Sequence, residues 1–159
     1  MITTTTRVPF AILGLLIGVA IIAPDPSSLS ASRGRSGALQ VDKACPDYNG
    51  QPGEFCTITA SSLSEITPGA KVIYIQPAGI PAAMLDSNVL LEAGDGNRAI
   101  GRCTLDFATG RGLCTFSDGT GRFAGFQARI DVTPPGFPGD DWHWRGTYAF
   151  REDVTRPRD

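Results

Sequence analysis

The sequence predicts an all-β fold of short antiparallel strands, either a barrel or a sandwich. Three observations carry this. Apolar residues alternate with polar ones along the segments between residues 55 and 150. Nineteen glycines and twelve prolines punctuate the chain at short intervals. No window longer than ten residues in that region keeps the i, i+3, i+4, i+7 spacing of an amphipathic helix.

The N-terminus is set apart from this pattern. Arg7 is followed by the apolar run "VPFAILGLLIGVAIIA" and a Pro/Ser/Ala-rich stretch with a small-x-small site at Ser30-Ala31-Ser32. That order predicts a secretory signal peptide over residues 1–32 and a secreted chain, with an uncleaved N-terminal membrane anchor as the alternative. The run is somewhat short for a membrane span, which needs about 20 apolar residues. Residues 33–44, "RGRSGALQVDKA", read as a flexible leader, residues 45–150 as the folded domain, and residues 151–159 as a charged, frayed tail.

Within the domain, strands are expected at 55–61, 70–76, 88–94, 98–107, 112–118, 121–133 and 142–150, with a short helical turn in "GIPAAMLDS". In 98–107, Cys103, Leu105 and Phe107 oppose Arg102, Thr104 and Asp106. In 121–133, Ala124, Phe126, Ala128, Ile130 and Val132 oppose Phe123, Gln127, Arg129 and Asp131. In the last strand Trp142, Trp144, Tyr148 and Phe150 share a face, and His143, Arg145 and Thr147 point the other way.

Cys45, Cys56, Cys103 and Cys114 are an even set in a chain read as exported, so disulfides are expected. Three pairings are formally possible, and spacing favours two local ones. A hairpin turning at Ala108-Thr109 sets Cys103 opposite Cys114, where facing Cα atoms lie about 4.5–5.5 Å apart, within disulfide reach. Cys45 and Cys56 enclose the turn signals Asn49-Gly50 and Pro52-Gly53. A metal site is disfavoured: no C-x-x-C occurs, and His143 is the sole histidine. No cofactor is indicated.

"GTGRFA", residues 119–124, formally satisfies a dinucleotide fingerprint, but such a loop must open a helix whose N-terminus holds the pyrophosphate. Here the segment leads into a period-two strand ending at Pro134-Pro135, so the nucleotide reading fails. Gly119 and Gly121 are expected in a tight turn with positive φ, and Gly125 at a bulge or close strand approach. The net charge is −2 and basic residues are scattered singly, which argues against a nucleic-acid surface.

The stretch "SDGTGRFAGFQARIDV" resembles the G-G-[ST]-G-x-[FY]-x-G segment of the allene oxide cyclase and dirigent proteins, through Gly119, Gly121, Phe123 and Gly125. "GRCTLDFATGRGLCTFSDG" and "WRGTYAF" sit where that family has its preceding hairpin and closing strand, so the resemblance spans roughly residues 55–150 and is to an exported bacterial relative. It implies a calycin-like, eight-stranded antiparallel barrel, often a homotrimer, with a hydrophobic small molecule in its mouth. Allene oxide cyclases close an epoxide-derived fatty acid to a cyclopentenone. Dirigent proteins steer the coupling or cyclisation of phenolic intermediates between acidic and arginine residues. The match is to the glycine motif rather than to a catalytic set. Seven strands are read directly, and the segment around Gln40 or Met84 is left to supply the eighth.

The function expected is therefore binding of an apolar or phenolic small molecule, with its cyclisation directed by the barrel. Alternatives are a non-catalytic carrier and a filled, structural barrel. The candidate catalytic residues are Asp106 with Arg102, Asp131 with Arg129, and Tyr148. If either pair points inward, its carboxylate meets an apolar cavity, gains a raised pKa and can act as an acid. If it points outward it is a surface ion pair of little energetic weight. Tyr74 could offer a phenol proton or be a core residue; Glu92 and His143 read as solvated residues near strand ends.

Overall fold

The computed structural model describes residues 34–79, 83–136 and 139–151. The expected signal peptide and all of the tail beyond Arg151 lie outside the described residues. Eight strands follow one another: β1 (Ser36–Ala44), β2 (Phe55–Ser61), β3 (Lys71–Tyr74), β4 (Met84–Glu92), β5 (Arg98–Asp106), β6 (Arg111–Thr120), β7 (Phe126–Thr133) and β8 (Asp141–Phe150). Each pairs antiparallel with its neighbours in sequence, and β1 pairs with β8 from Ser36↔Ala149 to Ala44↔Asp141, which closes the barrel. The expected eight-stranded antiparallel barrel is thus the fold.

Two expectations about its edges are corrected. The eighth strand is β1, formed by the segment around Gln40, one of the two candidates for it, so residues 36–44 are not a flexible leader: Leu39, Val41 and Lys43 all point inward and are buried. Met84–Ser87, expected in a helical turn, instead begins β4. The reason is pairing: Met84 to Glu92 lie opposite Asp106 to Arg98 in unbroken register.

The pleat sends one side chain in and the next out. Inward go Cys56 and Ile58 of β2, Val72 and Tyr74 of β3, Val89 and Leu91 of β4, Cys103 and Leu105 of β5, Cys114 and Phe116 of β6, Ile130 and Val132 of β7, and Trp142 and Trp144 of β8. On the outer wall Phe55, Ile73, Leu90 and Ile100 are consecutive partners across β2 to β5. The exposed Lys71 lies with its Nζ 4.0 Å from the Phe55 ring centroid.

The two barrel ends differ. At one, Leu63, Ile66 and Phe123 are buried as plugs. Phe123 was expected on the polar face of a continuous strand. It lies instead in a 3₁₀ turn, Gly121–Phe123, between β6 and β7, which breaks the period of two and swings its ring into the core. That ring sits 5.4 Å from Phe126, which in turn lies 5.9 Å from Phe116. Burying Phe123 contributes about 2–3 kcal/mol. Asn97 fastens the turn, its Oδ1 accepting from Arg122 N at 2.9 Å and its Nδ2 donating to Gly94 O at 2.9 Å.

Gly121 (φ 61°) and Gly125 (φ 73°) occupy the left-handed region, as the turn demands. Gly119 does not, contrary to expectation; it is a close-approach glycine, and a Cβ there would strike Arg98 O and Phe123. The other end is spanned by the connections after β1, β3, β5 and β7, and there the packing is incomplete.

Candidate functional site

At that incompletely packed end the barrel holds a cavity of about 40 Å³. Its lining includes Lys43, Tyr48, Tyr74, Phe107, Trp142 and Trp144, together with all four cysteines. The cysteines form two disulfides, Cys45–Cys56 and Cys103–Cys114, as spacing predicted, with Cα atoms 4.3 and 4.1 Å apart. Cys103 and Cys114 are directly opposed inward-facing partners, so this bond is part of the chamber wall.

Lys43 is the centre of the site. It is 3% exposed, the third inward position of β1 after Leu39 and Val41. Its Nζ donates to Tyr74 Oη at 2.7 Å and approaches Cys56 Sγ at 3.4 Å and Cys45 Sγ at 3.7 Å. The ring centroids of Trp144, Tyr74 and Trp142 lie 5.3, 5.4 and 6.0 Å from it. Among the described residues no carboxylate pairs with this amine. Burial therefore dominates its titration and pulls its pKa from 10.5 down to about 7. The π faces and the Tyr74 hydroxyl soften the burial of the charge without replacing an anion.

Two further polar atoms are left over. Tyr48 Oη and Trp144 Nε1 are buried with no hydrogen-bond partner among the described residues, and both side chains line the same cavity. Such orphans cost roughly 1–3 kcal/mol each. Tyr48 packs against Tyr74, with ring centroids 4.9 Å apart and planes tilted by 54°. Burial raises the pKa of both phenols; Glu54 adds to the rise at Tyr48, and Tyr48 to that at Tyr74. The chamber thus presents an amine, two protonated phenols and an indole N–H against walls otherwise of carbon and sulfur. Near neutral pH it can supply an uncharged amine.

The charged pairs singled out from the sequence lie elsewhere. Arg102 and Asp106 alternate with the inward Cys103 and Leu105, so the pleat turns both to the outer wall. They do not pair with each other: Arg102 grips Asp86 through Nε–Oδ1 (2.7 Å) and Nη2–Oδ2 (2.6 Å), while Asp106 Oδ1 accepts from Ala108 N at 2.8 Å in the hairpin turn. Arg129 and Asp131 are exposed on β7 for the same reason. Tyr148 is half-buried beside Phe150, at 5.9 Å, six residues along β8 from Trp142, the strand partner of Lys43. None of these five lines the cavity.

Tyr74 does belong to the site. His143, read as a solvated residue near a strand end, has Nδ1 2.7 Å from Asp42 Oδ1, and Arg145 donates to the same oxygen at 2.7 Å. Glu92 accepts from Arg98 at 2.8 Å beside a hairpin.

Lys43 itself was missed because its strand was read as a leader. A usable signal existed. The chain has only two lysines, Lys43 and Lys71, and Leu39, Val41, Lys43 and Cys45 fall at a spacing of two.

Fold and site together define a closed antiparallel barrel with one buried amine in an aromatic, disulfide-walled chamber. The chain matches no family model, and no curated protein or solved structure is similar to it at a significant level. Two intact disulfides are consistent with an extracellular location, and no helix among the described residues is long and apolar enough to cross a membrane.

Proposed function

We propose that this chain is an exported, small-molecule-binding barrel of the allene oxide cyclase/dirigent type, which holds an apolar or phenolic ligand by one oxygen in the Lys43 chamber. The carrying observation is that Lys43 lines one apolar cavity together with two side chains that carry unpartnered buried donors, Tyr48 Oη and Trp144 Nε1. A ligand oxygen accepting from these groups repays their desolvation, and the surrounding rings take the carbon atoms next to it. Export is supported by the N-terminal charge–apolar–small pattern together with the two disulfides.

The enclosed space fits about three to four heavy atoms, on a measure of roughly 10–15 Å³ per water. The ligand is therefore small, or enters with only its oxygen-bearing end. Cyclisation falls to the Lys43–Tyr74 pair, which can protonate a developing alkoxide or phenolate. Among the described residues no carboxylate lines the cavity, which favours, as the second reading, a carrier that binds without turnover.

The chain's two tryptophans both line the chamber, so intrinsic fluorescence reports on this site. Titration with p-cresol should change that fluorescence saturably, and Lys43→Met should abolish the change in a folded barrel. A wild-type signal that stays flat with p-cresol and with other small phenols, alcohols and ketones would remove the binding reading and leave a filled structural barrel.

A further inference from the structure

We propose that Lys43 is an imine-forming residue: its amine condenses reversibly with the carbonyl of a small aldehyde inside the chamber, with Tyr74 relaying the proton. This deepens, and rests on, the small-molecule role above.

Four observations carry it. The first is composition: almost all of the chain's basic residues are arginine, and of its two lysines one is sealed inside the barrel. Arginine would hold an anion better through its planar fork, whereas an amine can become neutral and attack carbon. The second is the surroundings. Sulfur, phenol and indole approach Nζ, and no carboxylate among the described residues holds it as an ion. A desolvated lysine in an apolar pocket is the standard activated amine of Schiff-base chemistry. The third is Tyr74, whose hydroxyl at 2.7 Å is close enough to exchange protons with the nitrogen and with an oxygen beside it. The fourth is size: a chamber for about three to four heavy atoms matches a short aldehyde.

The chemistry balances without a redox partner. The nitrogen lone pair forms the C–N bond while the carbonyl π pair moves onto oxygen. One proton passes from nitrogen to that oxygen through Tyr74, which accepts one and gives one. In the second half the nitrogen pair forms C=N, the C–O bond breaks, and the departing oxygen takes the remaining N–H proton by the same route. The products are the imine and one water, with Tyr74 unchanged.

Incubation of the intact oxidised protein with propanal and cyanoborohydride, followed by peptide mapping, tests this directly. The exposed Lys71 is the internal reference. We expect Lys43 to be alkylated at least about tenfold faster than Lys71 at neutral pH, because far more of it is uncharged. Its rate should rise through pH 7 and then level, while that of Lys71 keeps rising. Denaturation should equalise the two sites, and Tyr74→Phe should slow only Lys43. A parallel p-cresol titration separates the two proposals. Saturable p-cresol binding that leaves Lys43 alkylated no faster than Lys71 overturns imine formation and keeps the small-molecule role. Failure of both experiments overturns both.

Discussion

Lys43 Nζ and Tyr74 Oη stand 2.7 Å apart inside a barrel wall, with two disulfide sulfurs and three aromatic rings completing the amine's surroundings. The folded pKa of Lys43 is about 7 against 10.5 for an ordinary lysine. Between these values the unfolded chain binds a proton that the native chain does not, so stability rises with pH across that window. Below pH 7 the amine is charged in both states and the full cost of burying it remains. The gain from pH 7 to about pH 10 should be on the order of 3–5 kcal/mol. Above pH 10 the sign reverses, since burial holds Tyr74 protonated while the unfolded phenol ionises. Urea unfolding followed from pH 6 to 11 should therefore show a maximum near pH 10, and Lys43→Met should flatten the rising limb.

The outward arginines and aspartates should be dispensable for binding. Arg102→Ala, Arg129→Ala and Asp131→Asn leave the chamber untouched, because the pleat separates them from it. Each variant should bind p-cresol within about twofold of the parent, whereas Trp144→Phe, which deletes the orphan N–H, should not.

The Cys103–Cys114 bond closes a short loop and should stabilise the fold by about 3 kcal/mol. Replacing both cysteines with serine should lower the urea midpoint accordingly. The same change removes part of the chamber wall, so p-cresol affinity should fall even under conditions where the variant is fully folded.

Phe123→Ala empties the plug at the opposite end and should cost about 3–5 kcal/mol. Gly125→Ala places a Cβ at φ 73° and against Arg151 O, and should cost at least about 1–2 kcal/mol. Neither change reaches Lys43. Amine reactivity should therefore persist in whatever fraction remains folded, as measured by the Lys43-to-Lys71 labelling ratio.

Much of the barrel was legible because solvent stays on the outside of every strand from β2 to β8. That asymmetry imposes the spacing of two which set Cys103 and Leu105 on one face and Arg102 and Asp106 on the other; the spacing left open which face turns inward, and the barrel buries the cysteine face. The pattern gave out at β1, where Leu39 and Val41 are the only large apolar inward residues and Lys43 takes the next inward place. A buried amine looks polar to any hydropathy reading, so the residue that defines the chamber also disguised its strand. Phe123 was misplaced for a different reason. Its side chain obeys a 3₁₀ turn anchored by Asn97, a contact across 25 residues that local spacing does not contain.

The junction of β1 with β8 sets the order of assembly. Asp42 and His143, partners across it, are separated by 101 residues, and the ring cannot shut until the last strand is present. Hairpins between successive strands, and both disulfides, can form beforehand from nearby residues. Until the final strand docks, however, β1 and β7 each keep a raw edge with unpaired backbone groups. A chain whose last strand is still being made is therefore held short of the native state by topology alone. It remains an open ribbon, and its chamber comes into being only when the two ends of the domain meet.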